Sequence, residues 1–154
     1  MTHRAATANP NPRTLAGTAS DNTLTSPPNG ATTAPALTLS GGAGYAPGDS
    51  NTVTVKIYSG VGTGGPVVQS VSVTRSGATW TANVSGLAEG TYSAQAEQLD
   101  NSGNLGVSNV REFTVDTTLP IVVLTTPADN DVTSDTTPLF GGTAGNTTGD
   151  SPFV

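Results

Sequence analysis

Four oxygen-bearing side chains, Asp21, Asp49, Asp100 and Asn104, are the first candidates for chemistry in this chain. They form no contiguous EF-hand spacing. A hard cation such as calcium takes about six to eight oxygen ligands, so they matter only if a fold gathers them. Asp116 and Asp150 make a second set of the same kind, with Asp150 in "TTGDS" standing where Asp49 stands in "APGDS". Against this, Asp100-Asn101-Ser102-Gly103-Asn104 is also what a hairpin turn needs for backbone reasons alone. Covalent and acid–base catalysis have less to work with. The single histidine is His3, cysteine is absent, and neither a Gly-x-Ser-x-Gly elbow nor a Ser-x-x-Lys pair occurs. "GVGTGG" lacks the lysine and following helix of a phosphate loop. Glu97 and Glu112 alternate with apolar positions and read as solvated surface, so no enzyme is expected.

The elements that must position these residues are strands. The polar content is mostly Thr, Ser, Asn and Gly, which suits strands and turns and is poor material for long helices. "TVTVKIY" puts Val53, Val55 and Ile57 on one face and Thr52, Thr54, Lys56 and Tyr58 on the other. That is the period-two alternation of a half-buried strand. "VVQSVSVT", "TWTANV", "TYSAQAEQ" and "REFTV" follow, separated by the turn sequences "SGVGTGGP", "RSGA", "GLAEG" and "DNSGN". Two earlier strands, "LTS" and "ALTLS", complete an antiparallel seven-strand β-sandwich. Its expected core is Val53, Val55, Ile57, Val71, Val73, Trp80, Ala82, Tyr92, Ala94, Ala96, Phe113 and Val115. Leu87, Gly90 and Tyr92 have the spacing of a tyrosine corner. In such a Greek key the connections after the second and sixth strands emerge where the chain enters, which would gather Asp21, Asp49, Asp100 and Asn104 at one pole.

The chain then repeats itself. "LTSPPNGATTAPALTLSGGAGYAPGDS" from Leu24 returns as "LTTPADNDVTSDTTPLFGGTAGNTTGDS" from Leu124, 100 residues on. That period is about one sandwich. We therefore expect a disordered lead over 1–20, a complete module over 21–117, a linker over 118–120 shortened and stiffened by Pro120, and the truncated start of a second module over 121–154. A piece that short cannot bury a core alone. It is expected to be poorly ordered, or laid along the edge of the first module.

Several of these phrases in order, "TVTVKIYSG", "GTYSAQAEQLDNSGN", "FTVDTTLP" and "LTTPADNDVTSDTTPLFGGTAG", resemble bacterial immunoglobulin-like repeats of large secreted or surface adhesin-type proteins. The resemblance runs from about Leu24 to the end of the chain, although Leu119 stands where such repeats usually carry a small residue. It implies an all-β, immunoglobulin or fibronectin-III-like sandwich, used in tandem at the cell surface, with neighbouring modules of the same chain as partners. It also favours calcium at the joints between modules, with no cofactor otherwise required.

Composition sets the outer limits. A net charge of -6 with only five scattered cations argues against a nucleic-acid groove. No apolar run approaches the ~18 residues of a membrane helix. The first residues have no apolar centre for a signal peptide, so export rests on the resemblance. The only lysine, Lys56, points away from the core, which disfavours a covalent Lys–Asn crosslink. The expected role is a stalk or spacer. The competing readings are a module binding a glycan or host protein, for which Tyr45 is the one loop aromatic able to stack on a sugar, and an accessory module of an extracellular hydrolase.

Overall fold

The computed structural model describes residues 22–146 and 150; the lead expected over 1–20, and Asp21 with it, lie outside the described residues. Ten strands occur in chain order: β1 (Ala31–Thr33), β2 (Leu37–Gly42), β3 (Asp49–Ser59), β4 (Val67–Thr74), β5 (Thr79–Val84), β6 (Gly90–Asp100), β7 (Leu105–Val107), β8 (Arg111–Val115), β9 (Val123–Thr126) and β10 (Gly141–Thr143). One sheet runs β1-β8-β6-β3-β4, with β7 also on β6; a second holds β2 and β5. Alternation along each strand turns one face of each sheet inward. Leu39, Trp80, Ala82 and Val84 from the smaller sheet meet Val53, Val55, Ile57, Ala94, Ala96, Phe113 and Val115 from the larger. The result is an all-β sandwich. Of the expected core, Val71 and Val73 are only partly buried, because β4 is an edge strand.

Eight strands, not seven, lie between Ala31 and Val115. The strand expected at Leu24 is reduced to a bridge between Ser26 and Ser40, although Thr23 N and Thr25 N still donate to the Gly42 and Ser40 carbonyls of β2. On its other side the segment meets side chains instead of a strand. Leu24 N donates to Asn109 Oδ1 at 2.9 Å, and Leu24 O accepts from Asn109 Nδ2 and Arg111 Nε. After Pro27 the chain crosses to the larger sheet and resumes as β1, parallel to β8. The expected last strand, "REFTV", is β8, and an additional short strand, β7, precedes it across Ser108–Val110.

Gly41 shows how closely the layers fit. A Cβ there would collide with the Thr23 carbonyl and lie 2.9 Å from Trp80 Cζ2. The Trp80 ring lies over it, and its Nε1 donates to Gly42 O at 2.9 Å. The tyrosine corner also forms, with Tyr92 Oη donating to Ala88 O at 3.0 Å above a buried Leu87.

Among the described residues the second segment forms a two-stranded ladder, β9 with β10. Leu24 and Leu39, at 1% and 0% exposure, have Leu124 and Phe140 as counterparts at 64% and 66%. An apolar face has been laid out with no second sheet over it.

Candidate functional site: the two poles of the sandwich

β3 and β6 are antiparallel, with Asp49 opposite Asp100 at one end and Ser59 opposite Tyr92 at the other. Gly90 is also opposite Val115, where β8 leaves the module. The chain therefore enters at the Asp49/Asp100 pole and leaves from the opposite one. The eleven residues of β6 separate the poles by about 34 Å at ~3.4 Å per residue.

At the incoming pole the structure brings together three of the predicted ligand residues, Asp49, Asp100 and Asn104. Both Asp100 oxygens and one oxygen of Asp49 accept hydrogen bonds from the loops. Asp100 Oδ1 accepts from Ser102 N and Asn104 N, and Oδ2 from Asn104 Nδ2, each at 2.8 Å. The Asn104 side-chain amide foremost, then the loop N–H groups, hold the Asp100 carboxyl below its ordinary value of 3.8. Asp49 Oδ2 accepts from Ala46 N at 2.8 Å. These are turn geometries, in which a carboxylate takes the place of a backbone acceptor. Asp21 lies outside the described residues. Asp116 is at the far pole, and Asp150 belongs to the second segment. Among the described residues no group of three or more His, Cys, Asp or Glu side chains converges as a metal ligand set would.

The residues that organise this pole are ones the spacing of carboxylates did not point to. Gln98 and Asn22, each 5% exposed, converge on the loop after β2. Gln98 Oε1 accepts from Gly44 N at 2.8 Å, while its Nε2 donates to Gly44 O and to Ser50 O. Asn22 Oδ1 accepts from the same Gly44 N at 3.1 Å. Gly44 and Gly106 make room: a Cβ on the first would stand 2.6 Å from Asp49 Oδ2, and on the second 2.5 Å from Asn22 Nδ2. The signal for Gln98 was present, since alternation from Tyr92 through Ala94 and Ala96 puts residue 98 on the inward face. A buried amide there has to be satisfied by a fixed partner.

At the outgoing pole Glu89 and Asp116 hold the departing chain. Glu89 Oε2 accepts from Thr117 Oγ1 at 2.9 Å and Thr118 Oγ1 at 3.0 Å. Asp116 Oδ1 accepts from Thr118 N at 2.9 Å. Between the poles, Lys56 pairs with Glu97 at 2.7 Å on the outer face, pointing away from the core as expected. The Glu97 hydrogen bond raises the Lys56 pKa above its ordinary value.

The model of a protein family described as bacterial Ig-like domain matches residues 9–117. No curated protein matches the chain. Among solved structures, CopC from Methylosinus trichosporium OB3b is similar at 21% identity over 62% of this chain and 93% of its own, with a TM-score of 0.43. The fibronectin(III)-like modules of Clostridium thermocellum CbhA are similar at 25% identity over 80% of this chain and 62% of theirs, with a TM-score of 0.47.

Proposed function

The chain belongs to the bacterial Ig-like domain family, and from that premise we propose that it works as a stalk or spacer, one unit of a series that holds other domains at a distance outside the cell. Its partners are then neighbouring modules, it performs no catalysis, and the β9–β10 ladder is the opening of the next unit. The observation that carries this reading is the pairing of the first strand with the last. β1 runs parallel to β8, with Ala31 opposite Phe113 and Thr33 opposite Val115. The junction is tightened by Gly30 N donating to Glu112 O and Asp116 N to Thr33 O.

Tension along a series of modules draws the chain before β1 towards the incoming pole and the chain after β8 towards the outgoing one. Two adjacent parallel strands pulled in opposite directions are loaded in shear, so their hydrogen bonds must break together instead of unzipping singly. Forced unfolding tests this directly because it is governed by the unfolding barrier. The wild-type module pulled through its two ends is expected to give one high force peak. Thr33→Pro removes the N–H that the parallel register turns towards β8 and fixes φ in β1, and should lower the peak several-fold while leaving the chemical denaturation midpoint much less affected. Low-force unfolding of the wild type, indifferent to this substitution, would refute the spacer reading.

We assign Asp49 and Asp100 to loop structure, because both accept from N–H groups of their own loops and no third acidic side chain converges on them among the described residues. A melting temperature equal in chelator and in millimolar calcium is expected. A calcium-dependent rise would overturn the assignment.

A further inference from the structure

The loop between β2 and β3 is fixed more firmly than a connection requires. Gly44 is held through both its N–H and its carbonyl by Gln98, and Gly48 O accepts from Asn101 N at 2.7 Å. Asp49 closes the turn on Ala46 N. What this frame presents is Tyr45, which is 65% exposed. The Arg75 guanidinium sits over one face of its ring, 4.6 Å from the centroid. Arg75 is itself fixed, with Nε donating to Ser50 O at 3.0 Å and Nη1 to Gly77 O at 2.9 Å. With one face covered, that degree of exposure leaves the opposite face open to solvent. Its loop neighbours Ala46, Pro47 and Gly48 are too small to obstruct it.

The second segment separates what the fold needs from what it does not. Gly145 and Asp150 repeat the spacing of Gly44 and Asp49, and a Cβ on Gly145 would stand 2.5 Å from Asp150 Oδ2, as one on Gly44 would from Asp49 Oδ2 at 2.6 Å. The frame recurs. The residue after the glycine does not: it is Asn146, also exposed, where the first copy has Tyr45. The aromatic ring is therefore no requirement of the loop.

We propose that Tyr45, backed by Arg75, is a stacking platform for a pyranose ring of a neutral polysaccharide. A pyranose with its substituents equatorial presents axial C–H bonds to the negative face of an aromatic ring, and a ring held at a fixed angle binds it without an ordering cost. The net charge of -6 disfavours a polyanion. The charge of Arg75 is already directed at the ring and two carbonyls. A protein partner would call for a wider apolar surround than Ala46, Pro47 and Gly48 provide. A single stack is weak, and its use in a series of modules is avidity, with copies bearing Tyr at this position binding and copies bearing Asn only spacing.

The test is an NMR titration of the isotope-labelled chain with β-1,4-linked glucohexaose, in which every ring substituent is equatorial. Shift changes confined to Gly44–Asp49 and the Arg75 side chain are expected. Tyr45→Ala should weaken them at least about tenfold, and Tyr45→Trp should strengthen them. Both substitutions are at an exposed tip, so the remaining spectrum reports whether the fold is intact. No change at about 10 mM sugar, where a site with a Kd of that order would be half occupied, overturns the proposal. So do changes that persist in Tyr45→Ala.

Discussion

Gln98 carries more of the incoming pole than any carboxylate there. Its amide satisfies the N–H and carbonyl of Gly44 and the Ser50 carbonyl, which sits in the bulge where β3 slips against β6 between Asp49 and Val53. Gln98→Ala leaves the Gly44 carbonyl without this partner, while Gly44 N keeps Asn22 and Ser50 O keeps Arg75, and is expected to cost about 2 kcal/mol, read as a shift in urea midpoint at constant slope. Tyr45 should then lose its fixed angle. Asp100 gives a pH signature. Its folded-state pKa is lowered, chiefly by Asn104, so its contribution is present above the ordinary carboxylate value and is lost as pH falls through the lower folded value. Asp100→Asn should lower stability in the neutral range and flatten the acid limb below about pH 4, the difference from wild type closing as pH falls. Sequence spacing brought Asp49, Asp100 and Asn104 to one pole correctly, since topology alone settles that. Whether their oxygens face a cation or their own loop depends on turn geometry, which spacing does not carry.

Among the elements, the long strands were legible and the interrupted ones were not. β3, β5 and β6 alternate cleanly, and their inward residues are those expected from period two alone. β1 is three residues of Ala and Thr with no apolar alternation, and its existence depends on a partner, β8, that lies some eighty positions away. β8 was read as the strand "REFTV", but β7 was not, because three residues show no alternation and the Ser108–Val110 break before β8 serves a remote need: Asn109 reaches back to Leu24. Leu24 and Leu39 were missed as core for a related reason, since a short strand shows too few residues to establish its face. The β9–β10 ladder tests how independent the first module is. It pairs only with itself, and an isolated two-stranded ladder is marginal in water. Removing residues 121–154 should leave the melting temperature of the first module unchanged within about 1 °C; a fall of several degrees would mean that the segment supports the module after all. Gly41→Ala, by contrast, drives a methyl into the Thr23 carbonyl and the Trp80 ring. It should destabilise the module by about 3 kcal/mol and disturb the Trp80 fluorescence.

At the scale of the molecule, chain direction and charge serve the same end. The chain enters and leaves at opposite poles, so units in series add length instead of folding back. On the spacer reading, the net charge of -6 would keep copies apart in solution. A spacer also needs joints that hold their direction, and the covalent linker is only part of that. Glu89 fixes Thr117 and Thr118 through their hydroxyls, and Asp116 caps the turn. The sequence suggested a stiff joint from Pro120, whereas the hydrogen bonds begin three residues earlier, from an acidic side chain in the preceding turn. Glu89 is exposed and remote from the core, so replacing it tests the joint without unfolding the module. The decisive measurement is the backbone order of Thr117 and Thr118 from 15N relaxation, in the wild type and in Glu89→Ala. The spacer account predicts wild-type order parameters of about 0.85, equal to those of β8, falling below about 0.6 in the variant. Values already below that level in the wild type, unaltered by the substitution, would mean that the joint is a free tether and that the chain does not hold its neighbours at a set distance.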